Sequence, residues 1–267
     1  MRNLIIKGGG MKQLLFVSGL FVIFFLSSIQ PGLYANTVGM KVAGHISPVV
    51  SARKINPTTV EILFSNNRRM TLDFYGENIF RVFQDNSGKV IREPQAKPEA
   101  QILVDNPRKE LSQLELEEND DFVFLTTEKI KVRLDKKTSL LKVTNLATNT
   151  VVVEELEAPL FEKGKVTLTL KEDPQEYFYG GGVQNGRFSH KGKVISIENQ
   201  NSWTDGGVAS PTPYYWSTNG YGMMWYTFKK GKYDFGATEQ GKVKLYHESD
   251  YLDAVSYTHL RAHETSQ

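Results

Sequence analysis

The chain contains no cysteine among its 267 residues. That excludes disulfides and a lipid-modified cysteine anchor, so the fold must be held by core burial alone. It also lacks a charge imbalance. The formal net charge is +2, with Lys and Arg nearly matched by Asp and Glu, and nothing resembles the clustered basic face of a nucleic-acid binder. Beyond residue 35 no amphipathic helical period runs longer than two turns, and no strand–helix–strand alternation appears. A doubly wound sheet is therefore excluded.

What is present is ordinary for a globular chain: 40% hydrophobic and 23% charged residues, enough for one large domain or two small ones. Aromatic residues reach 11%, with twelve Tyr and three Trp. That suits a β-rich core and carbohydrate contacts equally.

The two ends read differently from the middle. Met11-Lys12-Gln13 precedes the apolar run LLFVSGLFVIFFLSSI and then Gln30 to Ala35, the pattern of a secretory signal peptide cleaved after Ala35. The expected destination is secreted or periplasmic. A membrane anchor is the competing reading, although the run is slightly short for a span. Met1 to Gly10 precedes the expected start at Met11. At the other end, VSYTHLRAHETSQ (255–267) resembles a translated transposase sequencing adapter, matching it without exception from Val255 to Thr265. The expectation is a non-native tail on an interrupted chain. His259 and His263, spaced like metal ligands on a helix, are set aside with it. The expected layout is leader 1–35, linker 36–50, sandwich domain 51–254 and tail 255–267.

Between those ends the period is two. Val60–Phe64, Met70–Tyr75, Ile79–Phe83, Phe122–Thr126, Ile130–Leu134, Leu140–Thr144, Val151–Val153 and Lys165–Leu170 alternate, separated by Asn, Asp and Gly turns. An all-β antiparallel sandwich buries such faces most simply. Pro94 to Leu116 is more polar and reads as a long excursion with little buried surface. The adjacent acids Glu117-Glu118 and Asp120-Asp121 read as solvated turn residues.

Gly180-Gly181-Gly182 raises the question of a phosphate loop. No helix pattern and no Lys-Ser or Lys-Thr follows at the required spacing. The glycines instead suit positive φ and close backbone approach at a bend. Past Glu198 the chain turns polar, with Asn199-Gln200-Asn201-Ser202-Trp203-Thr204-Asp205-Gly206-Gly207. Asn, Asp and Trp together are what a sugar site uses, while a surface loop with an inward Trp explains them as well.

The succession Tyr179-Gly180-Gly181-Gly182, Trp203-x-Asp205-Gly206-Gly207, Pro213-Tyr214-Tyr215-Trp216-Ser217-Thr218-x-Gly220-Tyr221-Gly222 and Tyr233-Asp234-Phe235-Gly236 resembles glycoside hydrolase family 31. The resemblance covers nearly all of Ser51 to Ala254 and is most specific at the Gly-Tyr-Gly block. It implies a galactose mutarotase-like N-terminal sandwich that precedes a (β/α)₈ barrel. The implied activity is that of a retaining α-glycosidase acting on oligosaccharides or α-glycosides, α-glucosides first. The barrel would supply two Asp carboxylates roughly 5–5.5 Å apart. No catalytic residue is expected in this chain. By the same resemblance the 199–207 loop helps shape the substrate pocket, with Asp205 contacting a hydroxyl and Trp203 forming a wall. The bland reading gives Asp205 only the start of the Gly206-Gly207 turn. The sequence departs from the Glu that follows the glycine in many relatives, which leaves the selected sugar open. A non-catalytic carbohydrate-binding module is the alternative function. No metal or organic cofactor is implied; His190 and His247 lack partners at ligand spacing and read as surface or hairpin residues.

Overall fold

The computed structural model describes residues 47–85, 87–88, 111 and 113–258. The expected leader, most of the polar excursion and the tail beyond Thr258 lie outside them. Among the described residues every regular element is a strand, and all pairings are antiparallel. Numbered along the chain, the first sheet runs β1 (Val49–Asn56), β2 (Thr59–Phe64), β3 (Arg69–Gly76), β4 (Ile79–Asp85), β17 (Tyr251–Thr258), β14 (Tyr221–Trp225), β13 (Val208–Ser217), β11 (Phe178–Gln184). The second runs β12 (Val194–Ile197), β15 (Gly231–Phe235), β16 (Lys242–His247), β10 (Lys165–Lys171), β9 (Thr150–Glu162), β8 (Leu141–Asn145), β7 (Ile130–Asp135), β6 (Phe122–Thr126), β5 (Glu115–Glu118).

Alternation explains the sandwich. On β2 and β3, Val60, Ile62, Leu72 and Phe74 are fully buried, and on β6 to β8 Val123, Leu125, Val132, Leu134 and Val143 face them from the other layer. Each turn in and beside that meander is closed by a side-chain oxygen, the one between β6 and β7 by the Thr127 hydroxyl, which accepts from Ile130 N–H at 3.1 Å. Asn119 Oδ1 accepts from the Phe122 N–H at 2.7 Å, Asp135 Oδ1 from Thr138 N–H at 2.8 Å, and Asn145 Oδ1 from Ala147 N–H at 2.9 Å. The acid pairs beside these turns are solvent-facing, Glu118 on β5 and Asp121 in the turn bonding Lys136 and Lys137 at 2.5 and 2.7 Å.

One expectation shifts. The excursion was placed from Pro94 to Leu116, yet Leu114 is buried and Glu115–Glu118 pairs with β6. A four-residue edge strand rich in Glu carries too little apolar period to read as a strand. Separately, the final described strand spans Ala254. Residues Val255 to Thr258 extend β17 between β4 and β14, with Val255 and Ser256 buried. Leu252, Ala254 and Ser256 share the inward face, so the alternation runs across that position.

Two acids, Asp253 buried and Glu155 half-buried, have unlike surroundings. Asp253 on β17 receives Arg81 in a two-pronged pair, Nε to Oδ1 and Nη2 to Oδ2, both 2.6 Å, and the guanidinium lies 4.8 Å over the Tyr226 ring. Such a fork orients the two strands on the face away from the core. Glu155, on β9 between the sheets, accepts one hydrogen bond, from Leu141 N–H at 2.8 Å. Burial pushes its pKa up to about 8, against that bond.

Candidate functional site

The site is built on a distorted edge strand. Gly180, Gly181 and Gly182 all hold positive φ, at 106°, 74° and 77°. The β11–β13 register slips between Gly180 and Gly182 and again between Val183 and Gln184. A Cβ on Gly182 would run into the Ser210 carbonyl and stand 2.6 Å from Thr212 N, both backbone atoms of β13. The glycines thus permit close backbone approach, as their chemistry suggests, within a paired and bulged strand rather than at a bend between strands.

Side chains hold the bulge. His190 Nε2–H donates to Gly180 O at 2.8 Å, and Gln184 Nε2 donates to Gly181 O at 2.9 Å and to Ser196 O at 3.0 Å. His190 and His247 therefore correct the surface assignment: both are buried. His247 Nδ1–H donates to Lys229 O at 2.9 Å while Nε2 accepts from the Tyr233 hydroxyl at 2.9 Å. Burial pushes the pKa of each imidazole down, that of His247 to about 4. A lone histidine in a sequence gives no sign of this, because its partners, here the Gly180 and Lys229 carbonyls and the Tyr233 hydroxyl, lie on other elements.

The bulge ends in the short turn that carries the polar loop. Asn185 N–H donates to Gly207 O at 3.0 Å and Asn185 O accepts from Gly206 N–H at 2.9 Å. The Asn185 amide donates to Ser202 O at 2.7 Å. Ser202 N–H donates to Val208 O at 3.1 Å, closing the base of the loop. Its tip is the turn Thr204–Gly207, closed by Gly207 N–H to Thr204 O at 2.9 Å with Gly206 at φ 75°. That is type II geometry, shut by backbone alone.

Both expected site residues sit on this tip. Trp203 is 73% exposed. Asp205 is exposed, and its carboxylate accepts no hydrogen bond from the described residues. A turn-initiating Asp would accept a backbone N–H; the Asp205 carboxylate instead lies against Gly186, where any Cβ would collide with it. On β11 and β13, with Phe188 from the loop that follows β11, is an aromatic ledge that sequence reading did not single out. Tyr179 stacks on Trp216 at 4.5 Å and meets Phe188 edge-on at 5.4 Å, with Phe188 86% exposed. The signal was available, because Tyr179 and Trp216 alternate with the inward Phe178 and Tyr215. Beneath it, buried Glu176 accepts from the Ser217 hydroxyl and from Asp173 N–H at 3.0 Å. Burial pushes its pKa up despite those bonds.

These features define a galactose mutarotase-like sandwich with one loop clasped against its edge. The model of the glycosyl hydrolase 31 N-terminal galactose mutarotase-like domain matches residues 69–234, more than half of the chain, and the chain belongs to that family. Among solved structures, a family 31 dextranase of Flavobacterium johnsoniae complexed with isomaltotriose superposes with a TM-score of 0.69 at 14% identity, covering 80% of this chain and 26% of the dextranase. A cycloalternan-forming enzyme from Listeria monocytogenes, with a pentasaccharide substrate, gives 0.67 at 16% identity, covering 79% and 21%. A family 31 α-xylosidase from a soil metagenome, with xylose, gives 0.62 at 16% identity, covering 78% and 32%. At these identities the likeness concerns the fold. The chain spans about a fifth to a third of the length of these relatives. No curated protein sequence matches it.

Proposed function

We propose that this chain is the N-terminal sandwich of an exported retaining α-glycosidase acting on terminal α-linked sugars, α-glucosides first, and that its 199–207 loop forms part of the substrate pocket. Family membership supports the glycosidase class. The observation that carries the role of this chain is the clasped loop, which holds Trp203 in solvent together with an Asp205 carboxylate that accepts no hydrogen bond from the described residues. In this reading Asp205 accepts hydrogen bonds from sugar hydroxyls, and Trp203 covers the C–H face of the ring. A preformed loop gives such contacts at little ordering cost. The bond-breaking carboxylates belong to the barrel of the complete enzyme, and no catalytic acid is assigned here. The Met11–Ala35 segment supports secretion or periplasmic delivery.

The test is the complete gene product assayed on aryl α-glucosides, α-xylosides and α-galactosides. Turnover of one of them is expected, with kcat/KM falling about ten- to hundredfold in Asp205→Ala as a charged hydrogen bond is lost. No turnover on any substrate overturns the glycosidase reading in favour of a binding module. An Asp205→Ala enzyme with unchanged kcat/KM overturns the pocket role.

A further inference from the structure

A cleft of about 400 Å³ opens beside the root of the clasped loop, between the end of β12, the first half of β13 and the Thr227–Lys230 connection from β14 to β15. That is the size of a small-molecule site, roughly 300–1,000 Å³. The connection is tightly fixed. Tyr226 N–H donates to Asp253 O at 2.8 Å, and Lys229 N–H to Thr227 Oγ1 at 3.0 Å. Lys229 O accepts from His247, and Lys230 O accepts from Glu248 N–H at 2.8 Å. From this anchored turn Phe228 projects with 78% of its surface exposed. A solitary exposed ring is ordinary on a protein surface. This one stands on the wall of a concavity that mixes the apolar Ile197, Pro211 and Pro213 with the polar Glu198, Asn199 and Ser210.

Those walls narrow the ligand class. Glu198 and Lys230 pair at 2.6 Å, so the lysine is already neutralised and offers no anion site. The Asn199 side chain is oriented by accepting from Asn201 N–H at 3.0 Å. Ser210 adds a hydroxyl, and Pro211 and Pro213 line the cleft with rigid rings. An apolar ligand would leave this polar rim unsatisfied on burial. A pyranose has an apolar C–H face for the Phe228 ring and a rim of hydroxyls that both donate and accept. Glu198 accepts, Lys230 donates and the Asn199 amide does both. We infer that the cleft is a second saccharide site, with Phe228 as the stacking platform and Glu198, Asn199 and Lys230 as hydroxyl partners. The inference shares its ligand class with the reading above, and it uses neither Trp203 nor Asp205.

The test is titration of the full chain with isomaltotriose and maltotriose, followed by calorimetry and by backbone amide shifts. Expected are weak saturable binding, shifts centred on Asn199, Ser210 and Phe228 to Lys230, an affinity about tenfold lower in Phe228→Ala, and retention in Phe228→Tyr, which keeps the ring. Phe228 is exposed, so a matching thermal midpoint for both variants shows that they fold. Absence of binding by either sugar, or binding that Phe228→Ala leaves unchanged, overturns the cleft. Shifts confined to Trp203 and Asp205 also overturn it while supporting the loop; the activity assay on the complete gene product tests the loop independently.

Discussion

The meander from β6 to β8 and the strip from Glu176 to Gly207 are built by opposite means. In the meander, side chains decide the structure: alternate residues are fully buried, and side-chain oxygens of Asn119, Thr127 and Asp135 close the hairpins. In the strip the backbone decides it: consecutive glycines at positive φ, a bulged register, and carbonyls held by buried His190 and Gln184. The first kind of region tolerates conservative exchange of apolar side chains. The second tolerates almost no addition at its glycines, yet leaves its outward side chains free to serve a ligand.

Substitutions can sharpen this contrast. The largest effect is expected from Gly182→Ala, because the new methyl meets β13 backbone that cannot swing aside. A loss of about 4 kcal/mol or more in urea unfolding is expected, or failure to fold. Leu134→Ala in the meander, which removes a fully buried side chain, should cost roughly 2–5 kcal/mol by the same measurement. If Leu134→Ala proves worse than Gly182→Ala, the contrast fails.

A pH series separates a third contribution. The folded-state pKa of Glu155 is raised from 4.5 to about 8, so the folded chain holds a proton that the unfolded chain releases. Stability should therefore fall as pH rises between those values, and be free of this penalty below about 4.5. Glu155 keeps part of its surface in the crevice between the sheets, which moderates the cost. Glu155→Gln should gain about 2 kcal/mol over wild type at pH 9 and almost nothing at pH 4. An equal effect at both pH values would remove the protonation argument. The smallest effect is expected at the exposed loop tip: Trp203→Ala should change unfolding free energy by less than about 0.5 kcal/mol. A larger loss would mean that the ring supports the fold rather than waits for a ligand.

The meander was legible because its period, its turn residues and its burial all point the same way. Every strand expected between Val60 and Leu170 is present, since each is encoded locally. β5 escaped because a short edge strand needs no apolar face. At the site, Trp203 and Asp205 were recognisable as residue types. The reason they are held outward is Asn185, whose three bonds to the loop depend on a bulge that residue identity alone does not reveal. His190 was misplaced for the same reason, and His247 because the Lys229 carbonyl and the Tyr233 hydroxyl that hold it lie on other elements.

The place of β17 has a kinetic consequence. This strand, the last in chain order among those described, lies between β4 and β14, so it alone joins the first four strands to β14, β13 and β11 within their sheet. During synthesis the two portions emerge early but cannot become one sheet until residues 251 to 258 leave the ribosome. Assembly thus waits on contacts that span most of the domain, Tyr251 with Asp85 and Tyr257 with Ile79 among them, a long-range closure of the kind that slows folding. Until then, both unpaired edges stand open to any chaperone, or any neighbouring chain, that reaches them first.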